Sequence, residues 1–199
     1  MRLYCCPGAA SLAPQIAFRE AGIAAELVAV DAISGIARDG RDLGFLTPLP
    51  DMPLLERSDG VTLQGTIPLL HFAAQQAGTT LLPALSNWEW FRLIERMEFI
   101  SYSLQPSVLG LRRVASTAEL KILLGRLGRS LALLDTYLAL HPFVGPSDYS
   151  IADIHAWTVI AALESGIPRF DNLDRWRRQV AARPAVCAAL AAERALFAR

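Results

Sequence analysis

The period of the apolar positions changes partway along the chain. Arg2-Leu3-Tyr4-Cys5 is a short, mostly apolar run that reads as a strand. Downstream, Ala13, Ala17 and Ala21, with Leu12 and Ile16 alongside, fall on one narrow face at helical spacing. Ser11 is placed to cap that helix, Pro14 is tolerated in its first turn, and Gly22 stops it. Glu26-Leu27-Val28-Ala29-Val30 then reads as a buried strand, so the opening predicts a parallel strand-helix-strand unit. Met52-Pro53-Leu54-Leu55-Glu56 and Val61-Thr62-Leu63 flank Ser58-Asp59-Gly60, where glycine supplies the positive φ of a hairpin turn. Thr66 can cap a helix over about 67 to 77, with Pro68 in its first turn and Gly78 closing it. The order βαβ then ββα predicts a mixed sheet covered by helices.

Beyond residue 79 the strand pattern is gone. Ser86 with Glu89, Ser116 with Glu119, and Ser150 with Asp153 each have the cap-x-x-acid spacing that satisfies orphan amides at a helix start. Leu120, Leu124, Leu127, Leu131, Leu134 and Leu138 alternate steps of four and three, a buried stripe along one long helix. Pro106 is expected to end or kink the helix before it, Gly166 and Pro168 to close the Ser150 helix, and Pro184 to start the last one after Trp176. The chain therefore divides into an α/β unit over 1–78, a linker over 79–86 and an all-helical domain over 87–199.

Composition removes several classes of partner. The 199 residues carry 19 basic and 19 acidic side chains, so there is no electrostatic footprint for nucleic acid or an anionic membrane surface. No apolar run reaches the roughly 20 residues that span a bilayer, and the N-terminus lacks the layout of a signal peptide, so the expected compartment is cytoplasmic. Cys5, Cys6 and Cys187 are odd in number and are expected as reduced thiols. His71, His141 and His155 are scattered and no Cys-x-x-Cys occurs, so no metal site is expected.

The residues themselves resemble the glutathione transferase family, most nearly its bacterial beta class. The resemblance runs through Met1-Arg2-Leu3-Tyr4, Pro7-Gly8-Ala9, Ser11-Leu12-Ala13-Pro14 and Ile16 to Gly22, then Met52-Pro53-Leu54, Asp59-Gly60 and Leu63, then Ser150-Ile151-Ala152-Asp153, and Trp176 with Arg183-Pro184-Ala185-Val186. It implies a thioredoxin-like domain followed by a helical domain, a homodimer, glutathione as co-substrate, and activation of its thiol for attack on a small hydrophobic electrophile. A thiol near pKa 8.5 is mostly protonated at neutral pH, so a hydroxyl at the positive end of a helix, as Ser11 is placed, raises the reactive fraction. Pro53 resembles the family's cis-proline, with Met52 aligning the cysteinyl part of glutathione, and Gln64, Gly65 and Thr66 occupy the place that receives its γ-glutamyl end.

Several positions depart from the beta-class pattern. Ala10 stands where that class has a cysteine, Cys5 replaces its tyrosine, Gly65-Thr66 replaces an acid-serine pair, and Gln105-Pro106 falls near its His-Lys pair. Three functional readings stay open on these residues. One is a transferase using Ser11, although Ser11 also reads as an ordinary cap. A second is a non-catalytic binding or dimerisation protein. The third is a glutathione-linked thiol oxidoreductase using Cys6, whose position before Pro7 suits a redox thiol, although Cys5 and Cys6 also read as small fillers at a strand end. Trp88 and Trp90 are candidates for an acceptor pocket or for core and dimer packing.

Overall fold

In the computed structural model β1 (Arg2–Cys5) is a central strand, paired in parallel with β2 (Glu26–Ala29) through the crossover helix α1 (Leu12–Glu20). Its other edge pairs antiparallel with β3 (Leu54–Glu56), which pairs with β4 (Thr62–Gln64), for a sheet order β2-β1-β3-β4. A strand covered on both faces must be apolar on both, and Leu3, Tyr4 and Cys5 are all completely buried. Tyr4 and Cys6, two apart, point to one face and pack with Val28, Val30 and Leu54. The opposite face is covered by α1 through Ala13, Ile16 and Ala17, and the two alanines permit a close approach. Gly60, at φ +82°, turns the hairpin between β3 and β4 as its position predicts. The structure describes residues 1–6, 10–47, 52–76, 81–83, 87–163 and 169–198, so Pro7, Gly8, Ala9, Gly78, Ser86, Gly166 and Pro168 lie outside the described residues.

Helix α2 (Thr66–Gln76) lies beside α1, with the Phe18 and Phe72 rings edge to face at 6.1 Å. It begins one residue earlier than expected and takes Thr66 into its first turn. Helix α8 (Pro184–Phe197) packs on α1, and Arg183 just before it holds Glu20 with two hydrogen bonds of 2.6 and 3.0 Å. By packing, Met1–Thr79 and Arg183–Arg199 form one unit and Thr80–Ala182 the other. The division into 1–78 and 87–199 drawn from sequence had put α8 with the helical residues.

The second unit holds α3 (Trp88–Phe99), a π-helical turn (Ile100–Leu104), α4 (Gln105–Leu111), α5 (Thr117–Leu140), α6 (Ile151–Ala161) and α7 (Asp171–Ala181). Asn87 caps α3 by accepting from the Glu89 amide, while Ser116 and Ser150 cap α5 and α6. Pro106 does not end its helix, which runs on through the π-helical turn into α4. It has no N–H for the carbonyl of Tyr102 four residues back, and the ladder widens to π just there. Of the leucine stripe, Leu127, Leu131, Leu134 and Leu138 are buried, whereas Leu124 is 45% exposed. The Ser150–Asp153 box forms, and its fully buried carboxylate also accepts from the amides of Val144 and Gly145 and from the Trp176 indole at 2.8 Å. Such a buried carboxylate is stable only because every lone pair facing it finds a donor.

Candidate functional site

Strand register brings the candidate residues of the first unit to one end of the sheet. Tyr4 is opposite Leu54, and Leu54 is opposite Gln64, so the end of β1, the start of β3 and the end of β4 form one row. Cys6 follows the first, Pro53 precedes the second, and Gly65 follows the third. The Gly65 amide donates to the Pro53 carbonyl at 2.9 Å, which ties the start of α2 to the start of β3. The Met52–Pro53 peptide is cis. Met52 packs against the cluster around Tyr4 and Cys6.

Ser11 closes the row from the α1 side, but not as a cap. An N-cap residue needs extended backbone angles so that its side chain can fold over the following amides. Ser11 sits instead at φ −65° and ψ −19°, makes no side-chain cap, and is completely buried. Its hydroxyl donates to the carbonyl of Cys6 at 3.3 Å. One turn on, Gln15 is equally buried and donates from Nε2 to Cys5 Sγ at 3.7 Å. Cys5, Ser11 and Gln15 thus form a small internal polar cluster beneath α1. The sequence reading missed Gln15, although its place four residues after Ser11, within an apolar helix face, was the available signal.

Neither adjacent cysteine is set up as a thiolate. Burial pushes the Cys5 thiol up to about 12, outweighing the influence of the nearby Ser11, which pulls the other way. Cys6 is 5% exposed, and its thiol is also raised by burial, with the charge of Asp31 adding to it. The Cys6 carbonyl receives the Ser11 hydroxyl, while its thiol packs in the apolar cluster with Tyr4 and Leu54.

At the α2 end, Gly65 has φ +91°, a backbone conformation that side-chain-bearing residues rarely adopt. A Cβ there would lie 3.4 Å from Pro68 Cδ. Glycine takes this conformation without strain. Gln64 is positioned by Thr47, whose hydroxyl donates to Gln64 Oε1 at 3.0 Å. That leaves the Gln64 amide group, the Thr66 hydroxyl and the first-turn amides of α2 at the helix's positive end, and no acidic side chain lies in that turn. Such a constellation suits a carboxylate. Thr47, which no local sequence signal marked, is brought in by tertiary packing. Trp88 is 69% exposed on α3, in the other unit, and its ring lies tilted against Phe91 at 5.7 Å.

Among the described residues, no three His, Cys, Asp or Glu side chains gather as a metal site, and no helix is long and apolar enough to cross a membrane.

No protein-family model matches the chain. It is 26% identical over 198 residues to Glutathione S-transferase GstA of Escherichia coli O157:H7, covering 97% of this chain and 98% of that one. Among solved structures it is similar to a sphingomonad glutathione S-transferase complexed with glutathione, at 31% identity and a TM-score of 0.89, covering 97% of this chain and 98% of the other. A bacterial beta class glutathione S-transferase from Sphingomonas chungbukensis gives the same identity, TM-score and coverage. With the mixed four-stranded sheet, the helical unit and this likeness along nearly the whole length, the chain belongs to the glutathione S-transferase family, near its bacterial beta class.

Proposed function

We propose that this chain binds glutathione at the sheet end formed by Ser11, Pro53 and the start of α2, and activates its thiol for attack on a small hydrophobic electrophile, the thiol proton and the electrophile's leaving group departing as the C–S bond forms. The observation that carries the reading is the convergence of these three segments on one row, in a chain whose solved relative holds glutathione. The cysteinyl part of the peptide lies along Met52 and Pro53, in the manner of an added strand. The γ-glutamyl carboxylate meets Gln64, Gly65 and Thr66 at the N-terminus of α2. Ser11, with the positive end of α1, favours the thiolate. Cys6 contributes its carbonyl, which holds the Ser11 hydroxyl. The working form is a cytoplasmic homodimer.

A second reading is favoured by one specific observation. Ser11 is completely buried with its hydroxyl already engaged, and Ala10 beside it offers no nucleophile, which suits a member that binds glutathione without turning it over. A Cys6-dependent oxidoreductase has less support, because burial raises the thiol it would need ionised. Calorimetry with glutathione, followed by a conjugation assay with a chlorinated nitroarene on wild type and Ser11→Ala, separates the readings. Binding with turnover lost in Ser11→Ala supports the transferase. Binding without turnover supports the second reading, and absence of binding overturns both.

A further inference from the structure

Thr47 and Gln64 lie 17 residues apart in the chain, yet the Thr47 hydroxyl donates to Gln64 Oε1 at 3.0 Å. The segment that carries Thr47 is pinned along its length. Ile36 bridges to Asp42, Leu43 is buried in the cluster around Tyr4 and Cys6, and Asp42 Oδ1 accepts from the Gly44 amide at 2.8 Å to start a short 3-10 helical turn. The Thr47 amide closes back onto the Leu43 carbonyl at 3.2 Å. Arg41 of the same segment holds both carboxylate oxygens of Glu56 on β3, at 3.0 and 2.8 Å, and the Tyr4 hydroxyl donates to that carboxylate at 2.9 Å. Thr47 itself is 8% exposed. A hydroxyl fixed in this way fixes the carboxamide it meets.

That bond decides what the start of α2 can recognise. With Oε1 turned to Thr47, the end of the Gln64 carboxamide that Thr47 does not engage is Nε2, which only donates. The Thr66 hydroxyl and the first-turn amides of α2 add further donors, and no acidic side chain lies in that turn. β4 carries no acid, and the one carboxylate of β3, Glu56, is opposite Thr62 rather than Gln64 and is held by Arg41 and Tyr4. Donors without a counter-charge favour an anion and leave an ammonium to water. We infer that this end of the site selects its ligand by the carboxylate of the γ-glutamyl group and is indifferent to the ammonium on the same carbon, with Thr47 as the positioning residue that aims the Gln64 amide. Resting on the glutathione reading above, this makes the substrate class thiol peptides whose acyl end carries a carboxylate, with or without the amine.

Calorimetry on the full chain compares three ligands that share the cysteinylglycine part: glutathione, glutaryl-cysteinylglycine, which lacks the ammonium, and 4-aminobutanoyl-cysteinylglycine, which lacks the carboxylate. In wild type the glutaryl ligand is expected to bind within about threefold of glutathione, and the aminobutanoyl ligand about tenfold or more weaker. Thr47→Val is expected to weaken glutathione and the glutaryl ligand by about threefold or more while leaving the aminobutanoyl ligand unchanged, and Thr47→Ser to restore both. Should Thr47→Val fail to fold, Gln64→Glu keeps an acceptor for Thr47 and puts a charge where the donor was. It is expected to weaken the glutaryl ligand about tenfold relative to glutathione, and equal affinities there would count against the assignment. A tenfold loss with the glutaryl ligand in wild type would show that the ammonium is recognised. Equal binding of the aminobutanoyl ligand, or a Thr47→Val variant that weakens all three ligands alike, would likewise overturn the inference, the last by leaving Thr47 a purely structural role. Each of these results leaves glutathione bound, whereas no binding of glutathione by the folded wild type would overturn the glutathione reading itself and this inference with it.

Discussion

Ser11 donates its hydroxyl to the carbonyl of Cys6 at 3.3 Å, joining the start of α1 to the end of β1. The bond fixes the start of α1 against the end of the central strand, and it makes Ser11 a structural residue before any chemistry is considered. Replacing it with alanine leaves the Cys6 carbonyl short of a buried donor and is expected to cost about 1 kcal/mol of stability, read from denaturant unfolding. If Ser11 also favours the glutathione thiolate, conjugation falls about tenfold or more in the same variant under conditions where it stays folded. Turnover equal to wild type would remove Ser11 from the chemistry and leave only its structural role.

Gly65 links the hairpin to α2 at φ +91°. Gly65→Ala forces a side chain into that conformation at a cost of about 1 to 2 kcal/mol, and it disturbs the amide that donates to Pro53. The account expects a lowered unfolding midpoint together with weaker glutathione binding. Stability and affinity both at wild-type level would show that position 65 tolerates a side chain and that its glycine is incidental.

His155 is buried on α6, shares a 3.1 Å hydrogen bond with Ser101 of the π-helical turn, and has its pKa lowered by burial from 6.5 to about 4. A group whose folded pKa is depressed contributes stability that is present above its unfolded pKa and is lost as pH falls toward the folded one. The helical unit should therefore lose up to about 3 kcal/mol between pH 6.5 and 4, because unfolding lets the imidazole take up a proton. His155→Gln should flatten that part of the stability profile, and a slope unchanged in the variant would assign the acid sensitivity to other groups.

Local patterns carried much of the fold. The hairpin at Gly60 and the box of Ser150 with Asp153 are short-range devices whose residues lie within a few positions of each other, so sequence alone was enough for them. Trp176 reaching back to Asp153, and Thr47 orienting Gln64, join residues far apart in the chain, and no spacing rule marks them. Ser11 shows the opposite failure. Its local signature is that of a cap, but burial gives its hydroxyl the Cys6 carbonyl, a partner that outcompetes the helix amides. The departure at Gly65 was visible as a missing acid, whereas its positive φ needed the backbone.

The three cysteines differ in access, with Cys5 and Cys6 buried and Cys187 exposed. At neutral pH a maleimide should label Cys187 first, and Cys5 and Cys6 only slowly or after unfolding, because burial both shields their thiols and keeps them protonated. Peptide mapping of the labelled chain reads this directly. Rapid modification of Cys6 would revive a redox role for it.

The central claim, that the row formed by Ser11, Pro53 and the start of α2 is a glutathione site, is tested most directly by calorimetric titration of the purified chain with glutathione. The account predicts saturable binding of one glutathione per chain with a dissociation constant on the order of 1 mM or below, weakened by the charged contact that Gly65 does not supply. The same titration of Gly65→Ala should give a weaker constant. No saturable heat from the folded wild-type chain at millimolar glutathione would contradict it.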